Sequence, residues 1–323
     1  MKLFASLAAI FGLTFLTALT AYFGFASVIQ DVVSAGWGAV LVIFVRATVL
    51  AAAGIGWWFL LMPAIARGPV IFVGIRFIRE AINSLFPVAQ VGGDLIGARL
   101  LTLLGVSSTL AIASVFIDIF IQVACLFIFV LAGLGILLTV VGSHQLTSAI
   151  IFMLAITTPA MIGFFLALKF GALEPLMRRL VEFGERRQWI AFRNVIGLGN
   201  SLQQIWLNHR GLLASFLVHL VTLLFGATEV WIALAFMGHP VSLFEAVAIE
   251  SLGQASRAVA FPIPGAYGVQ DGIIIVACAV FGVPAEAALA LALVKRIAEL
   301  VLGIPALLVW QAWEGKRLLP KGK

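Results

Sequence analysis

Charge is scarce in this sequence. Asp, Glu, Lys and Arg make up 11% of its 323 residues, while 63% are hydrophobic. Soluble globular domains carry about 25% charged residues, and so large an apolar excess cannot be hidden in one soluble core. Cysteine is nearly absent. Cys125 and Cys278 both fall inside apolar runs, which argues against a disulfide framework or a cysteine metal site. The histidines, His144, His209, His219 and His239, are scattered without metal-ligand spacing, so neither a metal nor any other cofactor is expected. No G-x-x-x-x-G-K-[ST] occurs, so the sequence carries no P-loop ATPase of its own. The net charge of +6 comes from basic residues placed between apolar runs and towards the C-terminus. That is the pattern of membrane topology, and nucleic acid is not an expected partner.

What the sequence does have is long apolar runs, several of them at least as long as the ~18 residues that suggest a membrane crossing. Six full spans are predicted: Leu3–Val28, Trp37–Leu61, Ser107–Leu138, Thr147–Lys169, Leu212–Met237 and Pro284–Trp313. The first, preceded by Lys2, is too long for the core of a cleaved signal peptide and reads as a retained span. Two more apolar stretches, Val70–Gly105 and Val241–Gly282, are interrupted by Pro and Gly. Each reads as two half-helices joined by a turn, since proline lacks the backbone donor and clashes with the preceding helical turn. The loops Ile29–Gly36, Thr139–Leu146 and Gly238–Ser242 lack Lys and Arg, whereas 169–210 holds Lys169, Arg178, Arg179, Arg186, Arg187, Arg193 and Arg210. The positive-inside rule therefore puts both termini and the central loop on the cytoplasmic side. That loop reads as amphipathic, with Trp189 and Trp206 at headgroup depth and the arginines facing anionic lipid headgroups. Fixing topology is a sufficient role for these charges. The expected fold class is an all-α polytopic membrane protein, one membrane domain over residues 1–323. It has six full transmembrane helices plus two re-entrant half-helix pairs forming an inverted repeat.

The repeat rests on matching residues. Phe86-Pro87, Gly93 and Gly97 match Phe261-Pro262, Gly268 and Gly272 at an offset of 175, and Gly105-Val106 matches Gly282-Val283 at 177. Each GxxxG encloses an acid, Asp94 or Asp271. The first broken segment enters from the cytoplasm and the second from outside, which makes units of about 70–138 and 241–313 an inverted pair. Such repeats place substrate sites near the bilayer midplane. Close helix packing also explains the GxxxG pairs.

An ionisable side chain in hydrocarbon costs ~2.5–3.5 kcal/mol on insertion scales and invites a functional reading. Arg76, Glu80 and Asn83 share a helix face, with Arg79 beside them; Glu250, Gln254 and Arg257 repeat the spacing. Glu245 lies further back on that second segment, and Arg46, Asp118 and Glu229 stand on spans two, three and five. The last span carries Lys295, Arg296 and Glu299. Interfacial solvation suffices for Arg76, Arg79 and Glu80, and Lys295 with Glu299 reads equally as a structural ion pair. The candidate cavity set is Arg79, Glu80, Asn83, Asp94, Arg99, Glu250, Gln254, Arg257, Asp271, Lys295 and Glu299. The re-entrant turns are assigned to Pro87, Gly92, Gly93, Pro262, Pro264, Gly265 and Gly268. Glu250 is the expected resting partner of Arg257.

The stretch Arg79-Glu80-Ala-Ile-Asn83 with Pro87, Gly92-Gly93-Asp94 and Arg99, and the later Phe261-Pro262-Ile-Pro264-Gly265-Ala-Tyr267-Gly268-Val-Gln-Asp271, resemble the transmembrane region of lysylphosphatidylglycerol synthases. This is a flippase-like family, and length and span order are most similar to its stand-alone hopanoid-biosynthesis-associated HpnL type. The resemblance implies a bacterial inner-membrane domain that moves a lipid between leaflets through a charged cavity. A second copy of the chain or a lipid-biosynthesis protein is an implied partner. Two departures stand out. The soluble aminoacyl-transfer domain of the full synthases is missing from the sequence, so no lysyl transfer is expected. Gln270-Asp271 also stands where many relatives carry Glu.

Three functions compete at this level. A lipid translocase would hold a polar headgroup between the paired charges while the tails stay in the bilayer. An ion or small-solute transporter would use the same inverted repeat. A membrane-embedded lipid enzyme is suggested by Asp94-x-x-x-Ala98-Arg99, which resembles the start of a phosphotransferase motif. Leu95 replaces its glycine, however, and the next acid is as distant as Asp118, so the acids that would hold a charge-neutralising metal are missing.

Overall fold

The computed structural model describes residues 25–62, 64–65, 67–86, 92–141, 197–260 and 263–318. Of these, 88% are helical and none lies in a strand. The predicted first span, except its last residues, and the fourth span lie outside the described residues. So do Pro87, Pro262, Trp189 and most of the basic central loop.

Helix α1 (Phe25–Leu61) has 37 residues, with a kink at Gly36 (φ 42, ψ −118). The expected loop at Ile29–Gly36 is therefore helical. The stretch contains no proline, and the only departure from helical backbone falls on a glycine, which tolerates positive φ. Helix α2 (Pro69–Leu85) starts with proline at its first turn, where the missing N–H has no intrahelical partner to lose. It buries Phe72, Ile75, Ile78, Arg79 and Ile82 along one face. Then follow α3 (Gly92–Leu103), α4 (Ser108–Val141), α5 (Leu198–Trp206), α6 (His209–Gly226) and α7 (Thr228–Phe236). Helix α8 (Leu243–Val259) opens with a capping box in which Ser242 and Glu245 satisfy each other's backbone N–H. A 3-10 turn at Pro264–Ala266 leads to α9 (Val269–Val280) and α10 (Ala285–Leu318). Among the described residues, Val28–Leu61, Ser108–Thr139 and His209–Phe236 are long and apolar enough to cross a membrane.

The helices fall into two series of matching length. Both α2 and α8 have 17 residues, both α3 and α9 have 12, and both α4 and α10 have 34. The acids Asp94 and Asp271 each occupy the third position of their 12-residue helix. Helix boundaries thus align these acids at an offset of 177, two residues away from the GxxxG register.

Two large apolar cores result, with a smaller cluster where α4 meets α8 and another joining Val28 to Leu289. The first gathers Trp57, Phe72, Ile78, Leu101, Ile117 and Leu202, and the amphipathic α5 docks on it with Trp206 half-buried. The second gathers Val42, Leu234, Ile249, Ile274, Leu291 and Val294. Helix α1 contributes Val42 to one and Trp57 to the other, and α10 contributes Val294 to one and Ala306 to the other. The polar residues Arg46 on α1 and Glu299 on α10 fall between these contributions, so a charged layer lies between the cores at mid-helix.

Close backbone approach holds α1 to α2. A Cβ on Gly54 would lie 2.7 Å from Val73 Cα and 2.9 Å from its nitrogen. Backbone cannot rotate away as a side chain can, so Gly54→Ala is expected to cost about 1–3 kcal/mol, read as a lowered unfolding midpoint of the purified protein.

Candidate functional site

A cavity of about 470 Å³ opens in the charged layer. Helix α2 lines it with Arg76, Arg79, Glu80 and Asn83, and α8 with Glu250, Gln254 and Arg257. Helix α3 adds Asp94, and α1 adds Arg46. The remaining polar wall is Gln122 of α4, His219 and Thr222 of α6, and Glu229 of α7.

On the first-unit side, Arg79 is the organising group. Its Nε and Nη2 donate to Asp94 Oδ1 at 3.0 and 2.6 Å, and its Nη1 donates to Asp118 Oδ2 at 2.9 Å. The guanidinium lies 4.5 Å from the Trp57 ring centroid, an added cation–π contact. Gly97 makes room for it, since a Cβ there would sit 2.6 Å from Arg79 Cδ. Asn83 Oδ1 accepts from Gly93 N at 2.7 Å, which satisfies an otherwise orphaned donor at the start of α3. Asp118, fully buried, also accepts from Gln122 Nε2 at 2.9 Å and contacts His219 Nε2 at 3.0 Å.

The second-unit side is built around carboxylates. Lys295 donates to Glu250 and lies 3.4 Å from Glu229 Oε2. Gln254 Nε2 donates to Glu250 Oε1 at 2.7 Å. Arg46 forms a two-pronged pair with Glu229, both bonds 2.8 Å. Arg257 then crosses between the units: Nη2 donates to Glu80 Oε1 at 2.8 Å and to Ser84 Oγ at 3.0 Å, and Nη1 donates to Glu299 Oε1 at 2.9 Å.

Several sequence expectations need correction. Glu250 is not the partner of Arg257; it belongs to Lys295, and Arg257 reaches Glu80 instead, because α10 brings a closer cation to Glu250. Lys295 and Glu299 do not pair with each other and stand behind the cavity wall. Asp271 does not line the cavity. Its Oδ2 accepts from Gly268 N at 2.9 Å and its Oδ1 from Arg296 Nη2 at 3.2 Å, so it caps α9 and is tied to α10. Arg99 does not reach the cavity either: it is 60% exposed and pairs with Glu314 at 3.1 Å. An exposed pair contributes little, so Arg99→Ala is expected to leave the unfolding midpoint within the shift of about 0.5 kcal/mol usual for surface changes. Of the turn residues, Gly92 and Gly93 begin α3, Pro264 and Gly265 belong to the 3-10 turn, and Gly268 (φ 79) precedes α9.

Arg46, Asp118 and Glu229 were visible in the sequence as charges on apolar spans, but nothing there joined them to the others. His219 and Gln122 were missed. Gln122 lies one helical turn from Asp118, a usable signal; His219 had none, because its partner is 101 positions away. The structure also pairs opposite charges at matched positions of the two series. Arg76 and Asp118 lie 3.9 Å apart in one, and their counterparts Glu250 and Lys295, at offsets of 174 and 177, are paired in the other with the signs exchanged.

No curated protein and no solved structure matches the chain. The family model of the lysylphosphatidylglycerol synthase TM region matches residues 3–306, and the chain belongs to that family.

Proposed function

We propose that the protein is a lipid translocase of the bacterial inner membrane, multi-pass with both termini cytoplasmic, and that it performs no covalent chemistry. The observation that carries this reading is the charged cavity at mid-helix in an otherwise apolar chain. Charges are expensive in hydrocarbon and persist there where they serve a pathway. A volume of about 470 Å³ suits a polar headgroup while the acyl or polycyclic tail stays in the bilayer. The cargo is a hopanoid or another polar-headed lipid. Arg76 is the docking group for an anionic headgroup: its Nε is buried and has no hydrogen-bond partner among the described residues.

The two helix series of 17, 12 and 34 residues support the re-entrant inverted repeat. In this reading α2–α3 and α8–α9 are the half-helix pairs, entering from opposite faces, with α4 and α10 closing the units. The full complement is six spans. Anionic lipid headgroups engage the basic central segment on the cytoplasmic face, and a second copy or a lipid-biosynthesis protein is the expected partner.

The test is reconstitution. Proteoliposomes containing a fluorescent headgroup-labelled phospholipid should show label from the inner leaflet becoming accessible to an external quencher faster than in protein-free vesicles. Parallel uptake of a small anionic solute separates the readings. Solute uptake without lipid movement would replace the translocase by a solute transporter, and an altered lipid recovered by chromatography would replace it by an enzyme.

A further inference from the structure

Among the described residues, the charged layer does not balance. Its cations are Arg46, Arg76, Arg79, Arg257, Lys295 and Arg296, and its carboxylates are Glu80, Asp94, Asp118, Glu229, Glu250, Asp271 and Glu299. Each carboxylate is ion-paired, yet there is one more carboxylate than cation. Among the described residues, the remaining titratable side chain on the cavity wall is His219, whose Nε2 lies 3.0 Å from Asp118 Oδ1. With a neutral imidazole the layer carries one excess negative charge, and with an imidazolium it is neutral. Histidine is also the side chain suited to change charge between about pH 5 and 8.

His219 is connected to the docking group. Arg76 Nη2 donates to Gln122 Oε1 at 3.1 Å, Gln122 Nε2 donates to Asp118 Oδ2 at 2.9 Å, and Asp118 Oδ1 meets His219. The other charged groups around His219 are fixed on every side. From α2, Arg79 holds Asp118; from α1, Arg46 lines the same cavity; from α7, Glu229 does so too. Helix α5 carries no ionisable residue. Gly56 on α1 leaves room for the ring, since a Cβ there would lie 3.1 Å from Nε2.

We propose that the His219–Asp118 pair is a proton site, and that a proton and an anionic phosphodiester headgroup bind the cavity together. The proposal rests on the translocase reading. An anion entering a layer already one charge negative is opposed by a field that low dielectric amplifies. Protonation of His219 removes that excess. With Nε2–H donating to Asp118, the incoming proton adds at Nδ1 and leaves by the same route when the headgroup departs. Linkage makes the coupling reciprocal: protonation strengthens headgroup binding, and headgroup binding strengthens protonation. Lipid movement is then proton-linked, with both species carried in the same direction.

Calorimetry on the full-length protein tests this. Titration with dihexanoyl phosphatidylglycerol, in buffers of differing ionisation enthalpy between about pH 5 and 8, reads protons taken up per ligand bound. The phosphodiester has no proton of its own to exchange in that range. Wild type is expected to take up a fraction of a proton that approaches one at its maximum, His219→Gln none, and the distant control His209→Gln as much as wild type. Glutamine keeps one N–H for Asp118, and an unchanged unfolding midpoint verifies folding. Glycerophosphoglycerol, the same headgroup without tails, is expected to give the same proton uptake at weaker affinity. Binding by wild type without proton uptake, or uptake retained in His219→Gln, overturns the proton site and leaves the translocase standing. Tail-free headgroup binding as tightly as the lipid points to a soluble anion and overturns the lipid as the coupled ligand. If neither probe binds, the anionic-lipid reading itself falls, and the coupling with it.

Discussion

Arg257→Ala is expected to abolish lipid translocation and to lower stability by about 1–3 kcal/mol, because it leaves the part-buried Glu80 carboxylate without its nearest hydrogen-bond donor. The guanidinium is shared between Glu80 and Glu299, at 2.8 and 2.9 Å. Glu299 keeps Arg296 at 3.0 Å after the substitution, whereas the nearest cation left to Glu80 is Arg76 at 3.8 Å. The destabilisation therefore originates mainly at Glu80, and the double change Arg257→Ala with Glu80→Ala should recover most of the unfolding midpoint. Translocation should stay lost in that double variant if Arg257, which lines the cavity with the docking group Arg76, also meets the headgroup. Full recovery of translocation would make Arg257 scaffold alone. Arg257→Lys should rescue partially, because an ammonium cannot hold two carboxylates with the geometry of a fork.

Asp118→Ala should be worse for folding. Asp118 is fully buried and is the common acceptor for Arg79, Gln122 and His219. Its removal takes one of Arg79's two anions and leaves the Gln122 amide only the backbone carbonyl of residue 118, at 3.4 Å. A loss of about 3–5 kcal/mol is expected, which lowers the unfolding midpoint by roughly 6–15 °C. Asp118→Asn keeps a carbonyl acceptor and should lose less. A midpoint for the alanine variant within about 2 °C of wild type, which corresponds to at most ~1 kcal/mol, would show that the site is already hydrated and that the cluster is not the folding element described above.

The charged half-helices were legible in the sequence because the spacing of Arg76, Glu80 and Asn83, and of Glu250, Gln254 and Arg257, is a local helical pattern. Their partners were not. Arg257 and Glu80 are 177 positions apart, and Arg46 and Glu229 are 183 apart; no periodicity reports a contact between helices. Asp271 was misread for a related reason. An acid at the third position of a helix is a cap as readily as a ligand, and the capped N–H of Gly268 is visible only once α9 has a start. The kinked α1 was hidden because Asp31 and Ser34 give 29–36 the look of a polar loop, although the stretch has no breaker before Gly36.

The seam between the two apolar cores has a mechanical consequence. Helices α2 and α3 contribute to the first core and α8 and α9 to the second, while α1 and α10 run through both. Across that seam Arg257 of α8 grips Glu80 of α2, whereas α8 also packs on α4 through Val130, Leu134 and Leu252. Arg257 already grips two carboxylates from different helices, so it can release one while keeping the other, like a climber moving one hand at a time. In the proposed translocase, alternating access exchanges salt-bridge partners at this seam and also parts the smaller apolar contact between α4 and α8.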